Sequence, residues 1–469
     1  MRRFLTVATV CLCVQTASAQ ELEPGDWPWF LGQNHTGISA ESDANLKLDF
    51  AKNPPKVEWK KVVGTGYSAP SVRADRLVLH HRIDGEELTQ CMHPGTGEVL
   101  WTYKADSNFR DPYGYNNGPR CSPLLSEKRC YTLGAAGHLA CVELATGKKV
   151  WDRNLLIDFK VPRAFFGVGC TPILEGNKLI VMVGGQPNAG VVAFDSASGK
   201  RLWASVGEKT WDGAETSDGD KYEWSFEEQI VSYSSSLPAT IHGQRHVLCL
   251  TRQGLVSLNP HDGSVRFKYW FRPRVHESVN AARPVVVGNR ILLSAAYRLG
   301  SVLLEVAKDG NSVREVWKDS ENLLAHWSTP IVADGFAYGF TGRHESEGEL
   351  RCIDLRNGDV KWAFDGYDRT TRIAYDRARK VYAEVESGRE VPRPLFGRGS
   401  KIRVGDHYII LGERGLVTTA RLTSEKYEEI SRTEFKAIHY PAWTAPVLSR
   451  GKLYLRCEDA LICIDLTGK

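Results

Sequence analysis

Eight residues of this chain have the right types to recognise a ligand, and each stands at or near one fixed place in a repeat. The repeat is marked by a proline in Ser68-Ala69-Pro70, Cys121-Ser122-Pro123, Cys170-Thr171-Pro172, Ser236-Leu237-Pro238, Ala282-Arg283-Pro284, Ser328-Thr329-Pro330 and Thr444-Ala445-Pro446, with a degenerate copy at Gly399-Ser400-Lys401. Three positions earlier stand Tyr67, Arg120, Gly169, Ser235, Ala281, Trp327, Arg398 and Trp443. Tyr233, Asn280 and His326 are their neighbours. If the copies converge, Tyr67, Arg120, Tyr233, Asn280, His326, Trp327, Arg398 and Trp443 form a ring too polar and aromatic for simple packing. Arginine offers forked hydrogen bonds to carboxylates, and tryptophan a stacking face. The chemistry expected is recognition of a small planar, anionic or sugar-like ligand. The competing reading is a water-filled channel whose side chains satisfy each other.

Bond-making chemistry finds no support in the motifs. His344-Glu345-Ser346-Glu347-Gly348 lacks the second histidine of H-E-x-x-H. The Gly-Lys pairs at 147, 199 and 451 lack the upstream glycine and following Ser/Thr of a phosphate-binding loop. No G-x-S-x-G elbow is present. His80 and His81 are adjacent on a strand and point to opposite faces, which argues against a metal site. Asp218-Gly219-Asp220 reads as a solvated acidic loop. No catalytic or metal-ligating residue is assigned.

The elements that must position the ring are short strands. Cys121–Asn154 reads as four of them: Ser122–Leu125, Cys130–Leu133, His138–Leu144 and Lys148–Asp152, separated by glycine turns. The fourth strand of each copy carries an aromatic a fixed distance after a glycine: Gly97 to Trp101, Gly147 to Trp151, Gly199 to Trp203, Gly263 to Phe267 and Gly358 to Trp362, with Trp317 at a longer spacing. In the seventh copy Ile430 is expected to fill that place. One large aromatic per sheet would pack between neighbouring sheets, burying roughly 150–250 Å². Repeated four-stranded sheets arranged radially make a β-propeller. The last copy stops after three strands, and Lys56–Val62, carrying Trp59, supplies the missing one. The expected fold is therefore all-β: an eight-bladed propeller of four-stranded antiparallel blades, closed by an N-terminal strand completing the last blade, over residues 57–469. Insertions are expected at about 205–235, acid-rich around Asp218-Gly219-Asp220 and Glu227-Glu228, and at 364–398. In the second, Ala374, Ala378, Val381, Tyr382 and Val385 fall on one helical face. A third loop, Ala105–Arg120, is aromatic and rich in Gly and Asn.

Residues 1–19, MRRFLTVATVCLCVQTASA, read as a secretory signal peptide: Arg2 and Arg3, an apolar run, then Ala17-Ser18-Ala19. Residues 20–56 form an N-terminal extension. No later apolar run reaches the roughly 18–20 residues of a membrane helix. A periplasmic or otherwise extracytoplasmic monomer is expected. The formal charge of +4 falls to +2 once Arg2 and Arg3 leave, which is no nucleic-acid footprint. Nine of the 11 cysteines lie outside the leader, and they read as small buried hydrophobes rather than a disulfide framework.

The fourth-strand mark, as in Ala145-Thr146-Gly147-Lys148-Lys149-Val150-Trp151 and Ser198-Gly199-Lys200-Arg201-Leu202-Trp203, resembles the PQQ-like repeat family of quinoprotein alcohol dehydrogenases and BamB-like assembly lipoproteins. Trp27-Pro28-Trp29-Phe30-Leu31-Gly32 is similar to the opening of exported bacterial members. The resemblance implies two functions. One is a non-catalytic binding or scaffold protein, with envelope proteins or a small ligand as partners and no cofactor. The other is a PQQ-dependent alcohol or sugar dehydrogenase using Ca²⁺, an Asp base, and a Trp and a vicinal disulfide around the quinone. The mature chain has no Cys-Cys pair, no C-x-x-C-H haem site and no alignable Asp motif, so the first is preferred.

Overall fold

Glycine turns cut the chain into runs too short to bury both faces alone, so each sheet must find a neighbour. In the computed structural model, which describes residues 22–162, 165–225, 228–275, 278–367 and 371–468, they form eight four-stranded antiparallel sheets. The expected signal peptide and Glu227 lie outside the described residues. The first strands of blades 1 to 8 are Ser71–Arg73, Leu124–Leu125, Ile173–Glu175, Leu237–Ile241, Val285–Val287, Ile331–Ala333, Ser400–Val404 and Val447–Ser449. Blades 1 to 7 run in sequence order, and blade 8 is completed by Lys56–Val62 pairing antiparallel with Ala460–Asp465.

One local device repeats around the ring. In all eight blades the pairing of the third and fourth strands slips by one residue beside the aromatic position. Such a bulge re-aims a side chain, here toward the next blade. The indole N–H groups of Trp59, Trp101, Trp151, Trp203, Trp317 and Trp362 donate to the carbonyls of Pro94, Leu144, Ser196, Pro260, Leu355 and Thr423, at 2.8–3.2 Å. Phe267 takes the same register in blade 4, opposite Ser257. The strand partners of Trp101, Trp151, Trp362 and Trp59 are Cys91, Cys141, Cys352 and Cys463. All nine described cysteines are buried and unpaired.

Two expectations are corrected. Ile430 does not stand in for the aromatic of blade 7; it is the bulge residue, and Ser431 takes the register opposite Thr419. The missing bulk comes from the N-terminal extension: Leu48 and Phe50 join the core between blades 7 and 8, and the Ser431 hydroxyl accepts the Ala51 N–H at 3.1 Å. Within 364–398 the expected helical face is a small three-stranded sheet: Ile373–Asp376, Val381–Glu384 and Glu390–Val391. Tyr375 pairs across it with Tyr382, a cross-strand aromatic contact that competes well with a helix of marginal length.

The extension also closes one end of the central channel. Trp27 exchanges two backbone hydrogen bonds with Val72 of blade 1, and Pro28 O accepts from Leu125 of blade 2. The segment then crosses to blade 5, where Arg283 donates to Phe30 O at 3.3 Å and lies 3.1 Å from His35 Nδ1. It continues to blade 7, where Ser39 bonds Arg403, and to blade 8, where Lys47 bonds Leu466.

Candidate functional site

The loops that lead into the first strands all open on the other end of the channel, and the extension forms a floor. Between them lies a cavity of about 290 Å³. Tyr67, Arg120, Tyr233, His326, Trp327, Arg398 and Trp443 line it, with Phe30 and Leu31 contributed by the extension. Asn280 does not: it is fully buried in the wall, its amide donating to Thr251 O and Phe271 O at 2.9 Å each. Gly169, Ser235 and Ala281 also reach the cavity.

The aromatic part is continuous. Trp443 sits 5.5 Å from Trp327 and 5.3 Å from Tyr67, and His326 sits 5.2 Å from Trp327. The Arg398 guanidinium lies over both indoles, 5.1 Å from Trp327 and 4.7 Å from Trp443. Its charge is answered from behind by buried Glu413, which accepts from Arg398 Nη2 and Trp443 Nε1 at 2.8 Å each. Arg120 is held likewise by Asp111, at 2.6 Å, from the 105–120 loop. That loop also brings Tyr115 to the wall, and Phe166 reaches it beside Tyr233, whose hydroxyl accepts the Phe166 N–H at 2.6 Å. Enclosure, with the charges of Arg398 and Arg343, holds His326 down to about 3, so its imidazole is neutral at physiological pH.

Lys401 escaped the sequence reading. It is 3% exposed, lines the cavity, and its ammonium has no hydrogen-bond partner in the protein. Its amine lies 5.5 Å from the Phe340 ring centroid, and burial lowers its pKa to about 7. The signal was present: Lys401 stands where the other seven copies carry proline. Trp327 Nε1 and His326 Nδ1 are also buried without a protein partner. Among the described residues no carboxylate lines the cavity, whereas Arg120, Arg343, Arg398 and Lys401 do. The site is therefore a cationic, aromatic-walled pocket with buried polar atoms that no protein group meets.

The fold is that of a propeller of the PQQ-like kind. The chain belongs to the family whose model is described as outer membrane protein assembly factor BamB, which matches residues 50–220 and 85–364. Among solved structures it is similar to BamB from Moraxella catarrhalis, at 12% identity and a TM-score of 0.53, covering 88% of this chain and 99% of that one. It is also similar to the quinohemoprotein alcohol dehydrogenase ADHIIG from Pseudomonas putida HK5, at 12% identity and a TM-score of 0.52, covering 95% and 81%. At these identities the likeness is one of fold. No curated protein matches the chain in sequence. Among the described residues no helix is long and apolar enough to cross a membrane.

Proposed function

We propose that the chain is an exported, non-catalytic binding or scaffold propeller of the cell envelope, whose cavity takes a small, planar, anionic ligand. The observation that carries this is the trio of Lys401 Nζ, Trp327 Nε1 and His326 Nδ1, three buried polar atoms on one cavity with no protein partner. Leaving such atoms unmatched costs about 1–3 kcal/mol each, which a ligand's acceptors would offset. The paired indoles supply the stacking face and the cations set the charge preference. The export signal read in residues 1–19 supports the envelope location. The blade rims offer surface to envelope proteins, in line with the assembly-factor family.

The test is calorimetry and thermal shift with aromatic carboxylates, aliphatic carboxylates and neutral sugars. An aromatic carboxylate should bind one to one, and Lys401→Met and Trp327→Ala should each weaken it about tenfold or more, roughly 1.4 kcal/mol. Binding of neutral sugars alone, or affinities unchanged in both variants, would overturn the proposal.

A PQQ-dependent alcohol or sugar dehydrogenase is the second reading, favoured by the stacking indoles and cations. The donor set does not fit its metal. Ca²⁺ takes about six to eight oxygens, with carboxylates prominent, yet no described Asp or Glu lines the cavity. Asp111 and Glu413 behind it are bound to Arg120 and Arg398. A quinone absorbance band with dye-linked alcohol oxidation, on adding PQQ and Ca²⁺, would reverse this preference.

A further inference from the structure

On the mouth face, beside the cavity but outside it, the turn Cys457-Glu458-Asp459 between the second and third strands of blade 8 meets His439 from the blade 7–8 connection. His439 Nε2 lies 2.9 Å from Asp459 Oδ1, and Cys457 Sγ lies 3.3 Å from the same oxygen. All three donor atoms fall within 4.8 Å of one another, and this is the one such His/Cys/acid group among the described residues. Zinc–ligand bonds of roughly 2.0–2.3 Å imply donor separations of about 3.3–3.8 Å around a tetrahedral ion. The His–Asp contact, at 2.9 Å, would open slightly around such an ion, and the Cys–Asp contact, at 3.3 Å, already matches it.

Two further features suit a metal. His439 Nδ1 lies 3.0 Å from Tyr440 O. A carbonyl can only accept, so Nδ1 carries a proton; Nε2, which in the metal-free protein donates to Asp459, is the nitrogen left to a metal ion once it gives up that proton, with the Tyr440 carbonyl holding the ring from behind. That is the outer partner that metal-bound histidines carry. Cys457 is buried, whereas the His439 and Asp459 side chains are 52% and 61% exposed, so a fourth coordination position faces solvent. One thiolate, one imidazole and one carboxylate form a borderline donor set that suits Zn²⁺ rather than the oxygen-seeking Ca²⁺ or Mg²⁺.

We propose that Cys457 Sγ, His439 Nε2 and Asp459 form a three-ligand site for a divalent transition metal, Zn²⁺ by its donors, with one position open to solvent. The ion would tie the turn of blade 8 to the connection that carries Trp443. The test is Co²⁺ titration of the chelator-stripped mature protein, followed by absorbance. The expected result is one equivalent bound, with tetrahedral d–d bands and a near-ultraviolet sulfur-to-cobalt charge-transfer band, both bleached by Zn²⁺. Cys457→Ser should abolish the charge-transfer band. His439→Ala and Asp459→Asn, at exposed side chains that leave the fold intact by circular dichroism, should weaken binding by about 10-fold or more. No stoichiometric binding, a charge-transfer band that survives Cys457→Ser, or undiminished affinity in His439→Ala would each overturn the site.

Discussion

A lysine with no partner, enclosed where its siblings are prolines, is the most telling single residue. Burial alone takes Lys401 from its ordinary 10.5 to about 7. Between those values the unfolded chain carries the proton and the folded chain does not. Unfolding therefore becomes harder as pH rises through this window, and the cost of the buried charge is carried in full only below about pH 7. The gap corresponds to on the order of 5 kcal/mol. Lys401→Met should be the more stable protein at pH 6, with the advantage shrinking toward zero by pH 10. Urea unfolding at both pH values checks this, and a pH-independent difference would contradict it. The ring of Tyr67, Arg120, Trp327, Arg398 and Trp443 was legible because a position before the first strand of each copy must lie at the channel mouth. Lys401 is visible in the sequence only as the residue that breaks the proline mark; its burial comes from packing around the channel that spacing alone does not specify. Asn280 was misjudged for a local reason: its amide serves two backbone carbonyls that sequence does not bring into view.

At the scale of the strand, the glycine–aromatic mark joins one blade to the next. Gly147 has φ +73, and a Cβ there would stand 2.5 Å from the Trp101 ring of the preceding blade. Gly97, Gly199, Gly263 and Gly358 meet Trp59, Trp151, Trp203 and Trp317 in the same way. Gly147→Ala therefore adds a clash with an indole to the cost of a left-handed alanine, itself about 1–2 kcal/mol. A total of about 2–4 kcal/mol is expected by denaturant unfolding. Gly288→Ala is the control, because Gly288 has φ +61 but nothing within 4 Å of its Cβ position; it should lose only the conformational part. Equal losses at the two sites would show that the indole contact contributes nothing. The period of this mark made the blades readable. The 364–398 insertion was not, because Ala374, Ala378, Val381, Tyr382 and Val385 fit a helical spacing as well as a short meander. Which of the two forms depends on the pairing of Tyr375 with Tyr382.

At the scale of the whole molecule, the ring is held shut by the segment that also floors its channel. The closing strand was legible, because three strands at one end of the chain and a lone aromatic strand at the other complement each other. The floor was not, because residues 22–55 carry no strand period, and their course is set by isolated contacts to blades 1, 2, 5, 7 and 8. Removing residues up to Val62 would strip Ala460–Asp465 of its outer partner along its whole length, leaving it the edge of blade 8, and leave Arg283 without Phe30 O and His35. An unpaired strand edge is a template for another chain. The truncated protein should therefore elute as higher-order species in light-scattering chromatography, where the intact mature chain is expected to be monomeric. Joining residues 22–62 after the last strand through a flexible linker should restore the monomer, because the strand's place is in blade 8 whichever end of the chain delivers it. A truncated protein that stays monomeric with unchanged thermal stability would mean that the ring is held by its inter-blade tryptophans alone.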